Sequence, residues 1–186
     1  MDLKKITLIS FGYFEEGFLR TIAEAVEHEF RAEVTIREGR LDLSEFYDPV
    51  RRQYNGTKLL REIDSQYSAD SLKILGLFSV DLFIPILTYI FGQAYLNGRT
   101  GIASLYRFKN ERYGMKTDDE FLLERFKKEV IHELGHTFGL IHCHVPACVM
   151  LSSTYVEDID QKSANLCLKC RQEFNSSITQ VQADLF

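Results

Sequence analysis

Apolar residues along the chain change period in a way that marks out its elements. Residues 6–11 are mostly β-branched and apolar, which predicts a buried strand. Residues 15–30 then place Phe18, Leu19, Ile22, Ala23, Val26 and Phe30 at helical spacing, with charges between them. Residues 32–37 alternate around Val34 and Ile36 and predict a second strand. Residues 38–56 carry no period, and Asp48-Pro49 and Asn55-Gly56 are turn signals. Residues 57–67 predict a helix with Leu59, Leu60 and Ile63 inward, and residues 72–82 a strongly apolar third strand. Strand, helix, strand, helix, strand in this order predicts an α/β arrangement with right-handed crossovers and parallel pairs.

Beyond Pro85 the pattern shortens. Residues 90–96 and 101–108 predict two short strands around the hairpin signal Asn97-Gly98. Thr117-Asp118-Asp119-Glu120 fits a capping box, with acidic side chains suited to the positive end of a helix. In that helix Leu123, Phe126, Val130 and Leu134 form a core-facing stripe. A last helix is expected after Cys170, to about Asp184, packed through Phe174, Ile178 and Val181.

With 186 residues, 45% of them hydrophobic, the chain suits one compact domain. A net charge of −5 argues against a nucleic-acid partner. The longest apolar run, residues 82–90, contains Pro85 and is too short to span a membrane. The opening residues have too short an apolar run, broken at Ser10, for a signal-peptide core, so a cytoplasmic location is expected.

Residues 132–142 read His-Glu-Leu-Gly-His-Thr-Phe-Gly-Leu-Ile-His, the form H-E-x-x-H-x-x-G-x-x-H. On a helix His132 and His136 share one face, roughly opposite the apolar stripe, and can grip one ion. Gly139 stands where the helix must stop, and glycine tolerates the left-handed turn that would deliver His142 as a third ligand. Three histidines leave one tetrahedral position for water, as in a catalytic rather than a closed zinc site. Glu133 would stand beside that water as a general base. His28 on the first helix reads as a solvated residue, and His144 loses to His142 on spacing.

All four cysteines follow the histidines: Cys143, Cys148, Cys167 and Cys170, as C-x4-C and C-x-x-C. Two such pairs suit a four-cysteine zinc. Two disulfides are the competing reading, disfavoured because nothing points to an oxidising compartment, and a thioredoxin-like redox pair lacks its β-α-β surroundings. Met150 falls between the pairs. By itself a methionine is usually packing.

The whole pattern, H-E-x-x-H-x-x-G-x-x-H-C-x4-C-x-M-x16-C-x-x-C, resembles the archaemetzincins (archaelysins), a branch of the metzincin zinc metallopeptidases. The motif covers residues 132–170, and residues 80–108, with Phe91-Gly92-Gln93-Ala94 and Ala103-Ser104-Leu105-Tyr106-Arg107, are also similar. The interval from Met150 to Cys167 is one residue shorter than the family's usual spacing and is expected to fall in a loop. Some metzincins place a tyrosine ligand two residues after the methionine; here that residue is Ser152, and Tyr155 is given no metal role.

The resemblance implies a metzincin-like zincin fold: a twisted mixed sheet with an antiparallel edge strand, an active-site helix, and a C-terminal subregion with a methionine turn and a four-cysteine zinc. The subregions would be about residues 1–139 and 140–186. It implies that His132, His136 and His142 bind a catalytic zinc, that Glu133 is the base and Met150 the methionine of the turn. It also implies that Cys143, Cys148, Cys167 and Cys170 bind a second, structural zinc, giving two per chain. The expected partner is a peptide or protein substrate, which an exposed edge strand can take as an added strand, and the expected state is a monomer. Two other readings stand beside it: a non-catalytic zinc scaffold that binds peptides or a protein, and a hydrolase of other amides. Glu133 favours an enzyme, since a pure binding module has no use for a base there.

Overall fold

Period-two alternation decides which face of the sheet each side chain meets. In the first strand, β1 (Lys5–Phe11), Ile6 and Leu8 enter one core while Ile9 and Phe11 enter the other. The computed structural model describes residues 5–67 and 71–183, with side chains described to residue 178 at the C-terminal end. Helix α1 (Glu16–Phe30) and β2 (Glu33–Glu38) follow. The segment expected to be irregular contains a single 3-10 turn (Leu43–Phe46) and two very short strands, β3 (Tyr47–Asp48) and β4 (Gln53–Asn55). The Asp48-Pro49 turn is held by the Asp48 carboxylate, which accepts from the Val50 and Arg51 amides. Helix α2 (Gly56–Tyr67) begins where the Asn55 side chain accepts from the Lys58 amide.

The third predicted strand is two strands. β5 (Lys73–Phe78) stays in the main sheet; β6 (Leu82–Phe83) leaves it to pair with β4. The break falls where the chain must cross from one sheet to the other. β7 (Gly92–Ala94) and β8 (Thr100–Ser104) form the expected antiparallel hairpin, with Asn97 left-handed at φ 52° in its turn. The main sheet has the order β2-β1-β5-β8-β7, parallel except for β7 at the edge. β3, β4 and β6 make a second, three-stranded sheet.

α2 covers one face through Leu59, Leu60 and Ile63, packed with Ile9, Ile74 and Phe78. α1 and α3 (Asp119–Thr137) cover the other. The cap of α3 is Asp118, one residue past the expected Thr117: its backbone is extended and its carboxylate accepts from the Phe121 amide at 2.9 Å. Phe126, Val130 and Leu134 are fully buried, as the stripe predicts.

After α3 come two more helices, α4 (Val156–Gln161) and α5 (Leu168–Ala183). α4 lies in the interval expected to be loop; only Val156 and Ile159 of its six residues are buried, too few to leave a periodic signal. α5 starts before Cys170 rather than after it, because the Arg171 amide bonds back to the Cys167 carbonyl. Phe174 packs against Phe30 and Phe138, and Ile178 against the same core. The packing expected of Val181 and the helix end near Asp184 lie outside the described residues. Among the described residues no helix is long and apolar enough to cross a membrane.

Candidate metal centre and active-site cleft

α3 carries two histidines on the face turned away from its core stripe, and each is aimed by its ring nitrogen Nδ1. His132 Nδ1 donates to the Val149 carbonyl at 2.8 Å, and His136 Nδ1 donates to the Leu140 carbonyl at 2.7 Å. A carbonyl can only accept, so both hydrogens sit on Nδ1 and both Nε2 lone pairs are free. The two Nε2 atoms face each other at 3.1 Å. Gly139, at φ 90°, ends the helix and turns the chain back; Leu140 then bonds to the Gly135 carbonyl. The turn brings the His142 ring to 5.3 Å from His132 and 4.9 Å from His136, between centroids. Ligand atoms of the three histidines all lie within 4.8 Å of one another.

Two nitrogens about 2.0–2.1 Å from one tetrahedral zinc would stand about 3.3–3.4 Å apart. The observed separation fits such an ion, and two facing lone pairs at that distance repel without one. Burial is the first cause holding the His132, His136 and His142 imidazoles below their ordinary pKa; for His132 the nearby Lys162 charge adds to it. The rings are therefore neutral at pH 7, as metal ligands must be.

The four cysteines form a second cluster. All are free thiols, with Cys143 and Cys167 sulfurs 3.8 Å apart and Cys148 and Cys170 sulfurs 3.7 Å apart. A disulfide needs about 2.05 Å, whereas thiolates 2.3 Å from a tetrahedral zinc stand about 3.8 Å apart. Burial would raise the Cys167 thiol, but hydrogen bonds, first from the Cys170 amide and then from the other three thiols, bring it to about 7. Burial and its neighbouring thiols push the Cys170 thiol up. The loop between the clusters is a turn in which the Leu151 amide bonds to the Cys148 carbonyl, and Met150 within it is fully buried. The Met150 thioether fills the space that a side chain at Gly135 of α3 would take.

Glu133 lies 5% exposed beside this centre, and its Oε2 is buried without a hydrogen-bond partner. Burial first, then the Glu129 charge, hold the Glu133 carboxyl well above the usual carboxylate range. Gly92 of β7 passes over it so closely that a Cβ there would stand 2.6 Å from Glu133 Cγ. The histidines, Glu133 and β7 open onto one cleft of about 540 Å³, whose far wall is Ser152, Ser153, Thr154 and Tyr155. Tyr89 donates across to the Thr154 carbonyl at 2.9 Å. The Tyr155 side chain is 62% exposed. His28 and His144 are exposed and outside both clusters.

Two residues of the cleft were not singled out by sequence. Glu129, one helical turn before Glu133, is 4% exposed; the i, i+4 spacing could have disclosed it. Lys162, at the end of α4, is 2% exposed, with its ammonium 3.0 Å from the Leu151 carbonyl and 3.5 Å from His132 Nδ1. Burial pushes its pKa down, and the charges of Glu129 and then Glu133 oppose that. Nothing local in the sequence marks it.

A profile of peptidase family M54 matches residues 13–176. The archaemetzincin of Thermococcus kodakarensis is 36% identical over 177 residues, which is 92% of this chain and 95% of that protein. The crystal structure of the Methanopyrus kandleri archaemetzincin superposes with a TM-score of 0.83 at 32% identity, covering 95% of this chain and 96% of that one. That of a zinc-dependent peptidase from Methanocorpusculum labreanum does so with a TM-score of 0.81 at 30% identity, covering 91% and 100%. Fold and site together define a zinc metallopeptidase. The chain belongs to peptidase family M54, the archaemetzincins.

Proposed function

We propose that the chain hydrolyses peptide bonds, with His132, His136 and His142 holding a catalytic zinc, Glu133 as general base, and Cys143, Cys148, Cys167 and Cys170 holding a structural zinc. The observation that carries this reading is the convergence, in one cleft, of two Nε2 lone pairs 3.1 Å apart and an unpartnered, buried Glu133 Oε2. When bound, zinc supplies polarisation of the scissile carbonyl and a water pKa lowered from about 15.7 toward about 7.

The rest falls to the chain's own groups. The carbonyls of Val149 and Leu140 fix the tautomer and tilt of the two helical imidazoles. Glu133 takes a proton from the attacking water and passes it to the leaving amine, so no covalent intermediate is needed. Among the described residues the outer edge of β7 pairs with no strand, and it can hold an extended peptide by backbone hydrogen bonds. That edge favours peptides over small amides.

The test is mass spectrometry of a peptide library incubated with the zinc-loaded protein and, in parallel, with Glu133→Ala. Cleavage by the wild type alone supports a Glu133-dependent peptidase. No cleavage by either, with metal retained in both, would replace it with a zinc scaffold that binds peptides.

A further inference from the structure

The two clusters share one stretch of backbone. Cys143 directly follows His142, so the thiol and the imidazole are neighbours on the chain. Cys148 is followed by Val149, whose carbonyl orients His132, and by Met150, which packs beneath α3 at Gly135. The Cys143 amide bonds to the Met150 carbonyl at 2.9 Å, closing this stretch into a loop. Its outer side is held by the other half of the cysteine cluster. The Val149 amide bonds to the Asn165 carbonyl at 2.9 Å, and the Cys167 amide bonds to the Cys148 sulfur at 3.4 Å.

Residues 143–150 are therefore clamped from both sides. On one side they present the Val149 carbonyl, Met150 and the attachment of His142 to the histidine centre. On the other they present two sulfurs to Cys167 and Cys170, which come from the start of α5. Four thiols within metal-ligand range, with nothing bound between them, hold together only through weak S–H contacts. An ion bound among them fixes the loop, and with it the carbonyl that aims His132.

We infer that the cysteine cluster is an affinity control for the histidine centre: binding of a metal by Cys143, Cys148, Cys167 and Cys170 strengthens metal binding by His132, His136 and His142, through the loop 143–150. This rests on the proposed reading of both clusters as metal sites. Loss of an outer-shell partner of a metal-bound histidine costs about 10–100-fold in metal affinity. Losing the cysteine-bound metal frees one such partner, Val149, and the tether of His142, so the expected factor is at least about 10. Linkage requires the effect to be reciprocal: occupation of the histidines must strengthen the cysteine site by the same factor.

The experiment titrates the full-length, metal-free protein with Co2+. Thiolate-to-cobalt absorption reports the cysteine site, and competition with a chromophoric chelator gives both affinities. Cys170→Ser, checked for native far-UV circular dichroism, should bind Co2+ at the histidines about 10–100-fold more weakly than the wild type. Cys167→Ser, a second variant of the same cluster, should show the same weakening, and this arm decides the matter if Cys170→Ser does not fold. A change below about twofold at the histidines in a folded cysteine variant overturns the coupling. A wild type that binds Co2+ at the cysteines and never at the histidines would instead sink the reading of the histidine centre on which it rests.

Discussion

Gly92→Ala would place a methyl carbon 2.6 Å from Glu133 Cγ and 2.6 Å from the Ile102 carbonyl oxygen. Carbon atoms in contact stand about 3.5–4.0 Å apart, so the new methyl overlaps Glu133 by about 1 Å. Ile102 cannot yield, because β8 is locked between β5 and β7 by register pairs on both sides. The edge strand β7 must shift away from Ile102 and Glu133 must give with it, and a misplacement of about 1 Å at a reacting group costs about 10²-fold in rate. The overpacking itself costs about 1–3 kcal/mol, or about 2–12 °C in Tm for a chain of this size. We therefore expect kcat to fall about 100-fold while the bound zinc stays at the wild-type ratio. The assay is steady-state cleavage of the best library peptide, with metal analysis and thermal melts on the same sample. Turnover within twofold of the wild type would refute the idea that β7 must pass this close to position Glu133.

Glu133→Gln should abolish measurable turnover with metal content unchanged, and loss of the metal would contradict the division of roles between base and ligands. Cys167→Ser and Cys170→Ser should lower Tm in the zinc-loaded protein before they affect turnover, since a structural zinc contributes directly to folding; a variant as stable as the wild type that lacks one zinc would argue against a structural role. Glu129→Leu, with no polar group to meet Glu133 or Lys162, should lower kcat by about 10-fold or more while Glu129→Gln retains most of it; equal activity in both would remove Glu129 from the machinery. Lys73 gives a pH signature, because burial and then the Arg99 charge hold its pKa at about 8, below the ordinary 10.5. Between those values the unfolded chain binds more protons than the folded one, so stability relative to Lys73→Met should rise with pH from about 8 to 10.5. Chemical denaturation of both proteins at pH 7.5 and pH 10 measures this, and a constant difference would count against it.

How far the sequence carries depends on whether a residue's reason is local. Ile6, Leu8, Ile9 and Phe11 reveal a doubly buried strand because apolar residues occupy both of its faces, and α1 is legible through its stripe. The histidine centre is legible because four-residue spacing on a helix is itself the geometry of ligation. The split of residues 72–82 is not, since β6 leaves the main sheet only to meet Tyr54 and Asn55, partners far back in the chain. α4 is short and half exposed, so its two buried residues form no pattern. Lys162 lacks any local signature: a lysine at the end of a surface helix reads as solvated, and only the fold turns it inward toward His132. Glu129 lies between these cases, visible as a carboxylate one turn from Glu133 yet easily taken for one more charge on an exposed face.

The tie between α1 and the start of α5 bears on how the protein is made. Glu29, 2% exposed, accepts from the Leu166 amide at 2.8 Å, and Arg171 donates both to its carboxylate and to its backbone carbonyl. The partners are 137 and 142 residues apart. At about 5–20 residues per second, a ribosome needs about 7–30 s to cover that interval. By residue 104 α1 and every strand of the main sheet have been made, while Cys167 and Cys170 do not yet exist and nothing holds the loop that aims His132. A half-made chain therefore carries the histidines without the clamp that organises them. The cysteine cluster is completed only with the last segment, after every strand of the main sheet has been made.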